Sequence, residues 1–340
     1  MLDWLVKGMC ETKAYACYYN DKNVRLHSSS GAVFTALAEL VIQNHGVVYG
    51  VAMAEDCYSA EFISVEDIES LSKLRGSKYV QAKVGNSFKK VKEDLLSNKT
   101  VLFTGTACQI NGLLKFLGKE YENLICVDVV CHGVPSPDLW QAYAKFMEQT
   151  NNSKLKNFYF RAKDYGWSNF GIKGIFNKNS LQEEKEVYVS KKQDPYMQMF
   201  LRDYCLRPSC YECIVKTQKM SDITIADFWG IYNVAPELDD EIGTSLLIIR
   251  TPKGKHVFER ICDKLNFKEV DYYVAVKANP AEFKSSTKPK QREVFFTDLQ
   301  NLSFEEMCNK YAKPKKTSLV EKVVAKLKTV IKTMLRFIRK

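Results

Sequence analysis

Two consecutive stretches, KTVLFTGTACQINGLLKFLG and NLICVDVVCHGVPSP, constrain the fold of this 340-residue chain more than any others. The first is a β-branched run, a TGTAC turn and a helical pattern closed at Gly118. The second is another strand that breaks into a Gly/Pro loop, and DLWQAYAKFMEQ after it reads as a helix. Strand, helix, strand, helix with short connections predict an α/β fold with a mainly parallel or mixed sheet flanked by helices. Cys108 begins the helix after the first strand, and Cys131 ends the second. Ligands bind at the carboxyl ends of strands in such sheets, so cysteines at two adjacent strand ends point into one space. The N-terminal end of a helix also favours negative charge, which suits a thiolate ligand.

The rest of the chain follows the same grammar. HSSSGAVFTALAELVIQN opens with a serine cluster that reads as an N-cap and continues with Val33, Leu37, Leu40 and Val41 at helical spacing; GVVYGVAM then reads as a strand. VEDIESLSKLRG predicts a helix ended by Gly76, SKYVQAKVG a short loop or strand, and NSFKKVKEDLLSN an amphipathic helix. Residues 150–200 read as a loop-rich insertion carrying short strands at FYFRAKD, FGIKGIFN and EVYVSKK. SDITIADFWG and TSLLIIRTPKGKHVFERICDKL return to strand and strand-helix patterns. The expected organisation is an N-terminal remnant at 1–12, an α/β domain at 13–312 and a basic amphipathic tail at 313–340.

Charge narrows the function classes. The net charge is +10, but residues 313–340 hold ten Lys or Arg against Glu321 alone, which leaves about +1 elsewhere and no electrostatic support for a nucleic-acid groove. Val320, Val323, Val324, Leu327, Val330, Ile331, Met334, Leu335 and Ile338 share one face of that tail, a pattern expected to lie on an anionic membrane surface, the alternative being a helix docked on the body or on a second subunit. No signal peptide or run of about 18 apolar residues is legible, so the expected location is cytoplasmic, peripheral on the inner face of the membrane.

Eleven cysteines in a reducing compartment point to metal ligands or small core residues rather than disulfides. Cys17, Cys126 and Cys262 sit in apolar runs and read as core. YCLRPSCYEC adds Cys205, Cys210 and Cys213 in a Pro-containing turn, and spacing alone leaves open which of them join Cys108 and Cys131. Four thiolates suit a 4Fe-4S cube or a structural zinc. Two isolated cysteines plus one C-x2-C pair at a cofactor crevice favour iron and sulfur.

SSSGAVFTALAE, LRGSKYVQAKVG, VLFTGTACQINGLLKFL, VDVVCHGVPSP, LRPSCYEC and SDITIADFWGI, in this order, resemble the coenzyme F420 hydrogenase/dehydrogenase beta-subunit family, including bacterial members from polysaccharide loci. The resemblance spans roughly residues 13–262. It implies an FAD-binding α/β domain with a 4Fe-4S cluster beside the flavin, and an oxidoreductase that passes electrons from iron-sulfur carriers to an organic two-electron acceptor.

Carried over by position, the family's ligands fall on Cys108, Cys131, Cys210 and Cys213, with Cys205 a neighbour. The resemblance lays FAD along Ser28, Ser29, Ser30 and Gly31 and the loop Arg75, Gly76, Ser77, Lys78 and Tyr79, where hydroxyl and N–H donors and two cations can hold a diphosphate. Thr104, Gly105 and Thr106 supply further contacts; Asp227 and Trp229 end a strand and either face the cofactor or serve as a turn or cap residue and a core anchor, and His132 is the candidate proton relay, with orientation of its loop as the alternative. The N-terminal two-cluster ferredoxin-like domain that many members carry has no counterpart in the sequence, so a separate ferredoxin-like donor is expected. The acceptor is expected to be a small molecule or lipid-linked, in cell-surface polysaccharide metabolism. The competing expectation is a zinc-stabilised accessory or scaffold protein of glycan assembly.

Overall fold

The structure, a computed structural model, describes residues 12–177 and 184–312. Its strands, in chain order, are β1 (Lys13–Tyr19), β2 (Val47–Met53), β3 (Ala60–Val65), β4 (Ala82–Lys83), β5 (Val101–Thr106), β6 (Leu124–Val129), β7 (Leu155–Ala162), β8 (Gly171–Asn177), β9 (Glu184–Ser190), β10 (Ile223–Asp227), β11 (Ser245–Ile249) and β12 (Leu265–Val270). Nine of these described strands form one sheet in the order β12-β1-β11-β10-β6-β5-β2-β3-β4. At its centre β10, β6, β5 and β2 run parallel to their neighbours. The flanks are antiparallel where β11, β1, β12 and β3 join. The expected α/β class with a mixed, helix-flanked sheet is what the chain adopts.

Alternation along the strands explains the layers. In β5, Leu102 points to the face that packs Val33, Leu37 and Val41, while Val101 and Phe103 point to the face that packs Val91, Ile110 and Leu113. Helix Val33–Gln43 covers one face; helices Ser87–Leu96 and Ala107–Leu117 cover the other. Burial on both faces is why the central strands read as near-continuous apolar runs. The β7-β8-β9 sheet packs instead on helix Pro137–Asn151, through a separate core with Trp140, Tyr143, Phe158, Phe160 and Tyr196.

Several local expectations need correction. The serines before helix Val33–Gln43 do not cap it: the N-cap is Ala32, at a left-handed φ of 63°, with no side-chain cap bond. Their hydroxyls go elsewhere, Ser28 to the Val24 carbonyl and Ser30 to the Thr244 carbonyl. The helix expected up to Gly76 shrinks to the single turn Leu71–Leu74, because Arg75 is already extended. The 150–200 stretch is less loop-rich than expected, with all three of its short strands in one antiparallel sheet. Among the described residues no helix is long and apolar enough to cross a membrane. The tail at 313–340, with its expected membrane face, and the 1–11 part of the N-terminal remnant lie outside the described residues.

The register sets the functional edge. Thr106 pairs with Val129, Val129 with Ile225, and both Asp227 and Cys17 with Ser245, so β5, β6, β10 and β1 run out at the same edge of the sheet, stepped from β6 to β10 to β1.

Candidate functional site

Three chain segments deliver four cysteines to this edge. Cys108 is the second residue of helix Ala107–Leu117, exposed, with its Sγ 3.1 Å from the Thr106 hydroxyl. Gln109 Oε1 fastens that corner by accepting from the Thr106 N–H at 2.8 Å. Cys131 follows β6. The loop after it pairs with the cysteine-rich loop as a short antiparallel bridge between Pro135 and Leu206. Arg207 N–H donates to the Val134 carbonyl, and Ser136 N–H to the Cys205 carbonyl, both at 2.9 Å. Gly133 leaves room for the buried Leu206 side chain, whose Cδ1 would lie 2.6 Å from an added Cβ and would have to shift. This bridge brings the turn Pro208–Cys210 and Cys213 to the pocket that Cys131 lines.

Cys108, Cys131, Cys210 and Cys213 therefore line one pocket, with Val129, Val134, Val215 and Ala281 as apolar wall and Lys216 and Lys219 as cations. Burial pushes the Cys131 thiol up to about 12, opposed by Lys216. Burial also raises Cys210, partly offset by the Val134 N–H that donates to its Sγ at 3.4 Å. These two thiols stay protonated at neutral pH unless a bound cation takes the place of the proton. Among the described residues no three His, Cys, Asp or Glu side chains converge to hold a single metal ion. Cys205 is fully buried in the core beneath and does not line the pocket.

His132 stands at the rim. Its Nε2 lies 2.6 Å from Asp203 Oδ1, its ring meets Phe200 edge-on at 5.3 Å, and its carbonyl accepts from the Ser286 hydroxyl at 2.5 Å. These contacts hold the loop as well as the imidazole. Lys216 Nζ donates to the carbonyls of Cys131 and Ala281, and Lys219 pairs with Glu282. The sequence reading passed over both lysines; their spacing of three and six from Cys213 was the available signal.

The expected flavin residues are brought together in part. Ser29 Oγ lies 2.8 Å from Ser77 Oγ and accepts the Ser77 N–H at 2.7 Å, so the serine turn and the RGSKY loop touch. Arg75 Nε donates to Thr35 Oγ1 at 3.2 Å in the first turn of helix Val33–Gln43, adding a cation at its positive end. Lys78 Nζ donates to the Lys73 and Arg75 carbonyls. Gly76 is exposed at a left-handed φ of 81°. Gly31 packs against strand backbone: a Cβ would fall 2.6 Å from the Cys17 carbonyl oxygen and 2.8 Å from Ser245 N. Gly31→Ala is expected to destabilise the protein by about 1–3 kcal/mol because backbone must move. Gly112→Ala, where the nearest atom would be Phe88 Cε2 at 3.6 Å in a helix, is expected to be neutral or slightly stabilising. Denaturant midpoints of the two variants check the contrast.

Thr104, Gly105 and Thr106 line β5, but Thr104 donates to the Tyr49 carbonyl and Gln109 closes over Gly105. Asp227 is committed to protein. Its carboxylate takes a bidentate pair from Arg161 at 2.6 and 3.0 Å and the Trp167 indole N–H at 3.0 Å. Trp229 stacks on Trp167 with centroids 5.0 Å apart. Arg161 is a further residue that sequence reasoning missed. A register shift between Tyr159 and Ala162 breaks the alternation of β7 and leaves both Phe160 and Arg161 buried. The guanidinium then reaches the Ser29 carbonyl at 3.2 Å and Tyr79 Oη at 3.4 Å. Burial, the largest single influence, would lower its pKa, but the charge and hydrogen bonds of Asp227 and Tyr79 together outweigh it and the pKa is raised.

Residues 14–89 match the N-terminal family profile of the coenzyme F420 hydrogenase/dehydrogenase beta subunit, and residues 98–272 match the C-terminal profile of the same family. Among curated proteins, the coenzyme F420-dependent sulfite reductase of Methanocaldococcus jannaschii is 22% identical over 256 residues, 72% of this chain and 36% of that protein. The chain thus spans little more than a third of the length of that relative. A chain of the xenon-derivatised F420-reducing NiFe hydrogenase complex from Methanosarcina barkeri superposes with a TM-score of 0.49 at 15% identity, covering 78% of this chain and 83% of that one.

Proposed function

The chain belongs to the coenzyme F420 hydrogenase/dehydrogenase beta-subunit family, and from that premise we propose that it is an oxidoreductase in which Cys108, Cys131, Cys210 and Cys213 hold a 4Fe-4S cluster beside FAD. The observation that carries this reading is the gathering of four cysteines from three distant segments into one pocket at the carboxyl edge of the sheet. Such a cluster supplies one-electron steps and a flavin two-electron ones, linking a ferredoxin-like donor to an organic acceptor.

The chain's own groups have definable tasks. The Val134 N–H and the ammonium groups of Lys216 and Lys219 offset negative charge on the sulfurs, while Val129, Val134, Val215 and Ala281 limit water. Arg75, Lys78, Ser29 and Ser77 would hold the FAD diphosphate, with Ser28, Ser30, Gly31, Gly76 and Tyr79 shaping that turn and loop. In this reading Asp227 acts through Arg161 by fixing the Ser29 carbonyl and Tyr79, and His132, paired with Asp203, carries the proton. The acceptor is assigned as a small or lipid-linked molecule of cell-surface polysaccharide metabolism.

Iron, sulfide and flavin assays on anaerobically purified protein test the reading. Brown-yellow protein with both cofactors supports it; colourless protein holding one zinc overturns it. The 313–340 tail is assigned to an anionic membrane surface. Full-length protein should float with vesicles rich in anionic lipid, and a chain ending at Tyr311 should not. Equal flotation removes that assignment.

A further inference from the structure

The rim of the cysteine pocket is completed by a strap of residues 277–292 that lies beyond the family-matched residues, which end at 272. It is latched to the pocket at four points. Ser285 Oγ accepts the Cys213 N–H at 2.9 Å, Ser286 Oγ donates to the His132 carbonyl, the Ala281 carbonyl accepts from Lys216, and Glu282 pairs with Lys219. Glu282 also pairs with Arg250, so the strap's one acidic side chain is buried and neutralised inside the protein.

What the strap shows to solvent is positive. Lys277, Lys284 and Lys290 are exposed and form no ion pair with a described residue, while Lys288 pairs at 2.9 Å with the exposed Glu293. Arg207 adds a cation on the cysteine loop, and Glu212 is the opposing exposed charge there. At or beside the pocket lining, Ile214, Phe283 and Val129 are 68%, 43% and 39% exposed, and Cys108 itself is exposed. Exposed apolar side chains at the pocket mouth, beside a strap whose exposed charges are mainly positive, have the anatomy of a transient, electrostatically steered interface. The body of the chain is close to neutral, so this excess is local.

We propose that this rim is the docking surface for a small acidic electron-transfer protein. The proposal rests on the reading that the four cysteines hold an electron-carrying cluster. In each productive encounter the donor is oxidised by one electron and this protein is reduced by one; no bond forms or breaks.

The probe is a bacterial two-cluster ferredoxin with excess Asp and Glu. The comparison is between the intact wild-type chain and the variant Lys277→Glu/Lys284→Glu/Lys290→Glu, with the triple Lys→Arg variant as control. At low salt, reversing three charges should weaken binding of oxidised ferredoxin at least tenfold and slow reduction by reduced ferredoxin by a similar factor. The gap should narrow as salt rises. The Arg variant should match wild type, and dithionite should reduce all three proteins alike. An iron-loaded Glu variant that binds ferredoxin and is reduced by it at the wild-type rate overturns the docking surface alone. A wild-type protein without iron overturns the cluster reading and the docking surface with it.

Discussion

Cys131→Ser is expected to bring bound iron from about four atoms per chain to below one, with loss of acid-labile sulfide and of the brown colour. Cys131 is one of the two pocket cysteines whose thiol burial raises, and its carbonyl is held by Lys216. A serine there cannot swing away to let another ligand in. Cys108→Ser should behave similarly although Cys108 is exposed, because among the described residues no cysteine besides these four lines the pocket to replace it. Cys205→Ser is the discriminating control. It should keep its iron and lose about 1–3 kcal/mol of stability, since a hydroxyl replaces a thiol in a fully buried position. Full iron in Cys131→Ser would sink the ligand assignment, as would iron loss in a Cys205→Ser protein that folds normally.

The second large effect is expected at Arg161. Arg161→Met should lower the unfolding free energy by about 3–5 kcal/mol, the usual consequence of removing one partner from a buried ion pair. Both groups are well shielded, with side-chain exposures of 4% and 17%, so solvent screening is weak. The loss would leave Asp227 with the Trp167 N–H as its remaining side-chain donor and free the Ser29 carbonyl. Asp227→Asn should cost less, because an amide oxygen still accepts from the guanidinium. Arg161→Met/Asp227→Leu should recover part of the loss, since no uncompensated charge stays buried. Denaturant midpoints of the three variants measure the coupling. A shift below about 1 kcal/mol in Arg161→Met would show that the pair does not secure this edge.

How much was legible depended on how local the cause was. The βαβ core could be read because each strand and helix there carries its own periodicity and stop signal, as at Gly118. The cysteine pocket could be anticipated because strand ends in a parallel sheet share one edge. The insertion of β1 between β11 and β12 could not, since KAYACYY pairs with residues more than 200 positions away and nothing in its pattern names them. The serine cluster misled for a related reason. Ser30 finds its partner, the Thr244 carbonyl, across the sheet edge, and a helix N-terminus nearby looked like the nearer use.

From sequence alone came the element types of the central sheet, the α/β class and Cys108 with Cys131 at adjacent strand ends, because these follow from local period and the geometry of parallel strands; that Cys210 and Cys213 complete the set came from the family resemblance. Tertiary structure alone decided which side chains frame that set. Arg161 turns inward at a bulge, Glu282 draws a strap across the pocket by pairing with Lys219 and Arg250, and Cys205 is sealed beneath. Each of those outcomes depends on burial and on ion pairs between distant segments, and such energies exist only once the segments have met.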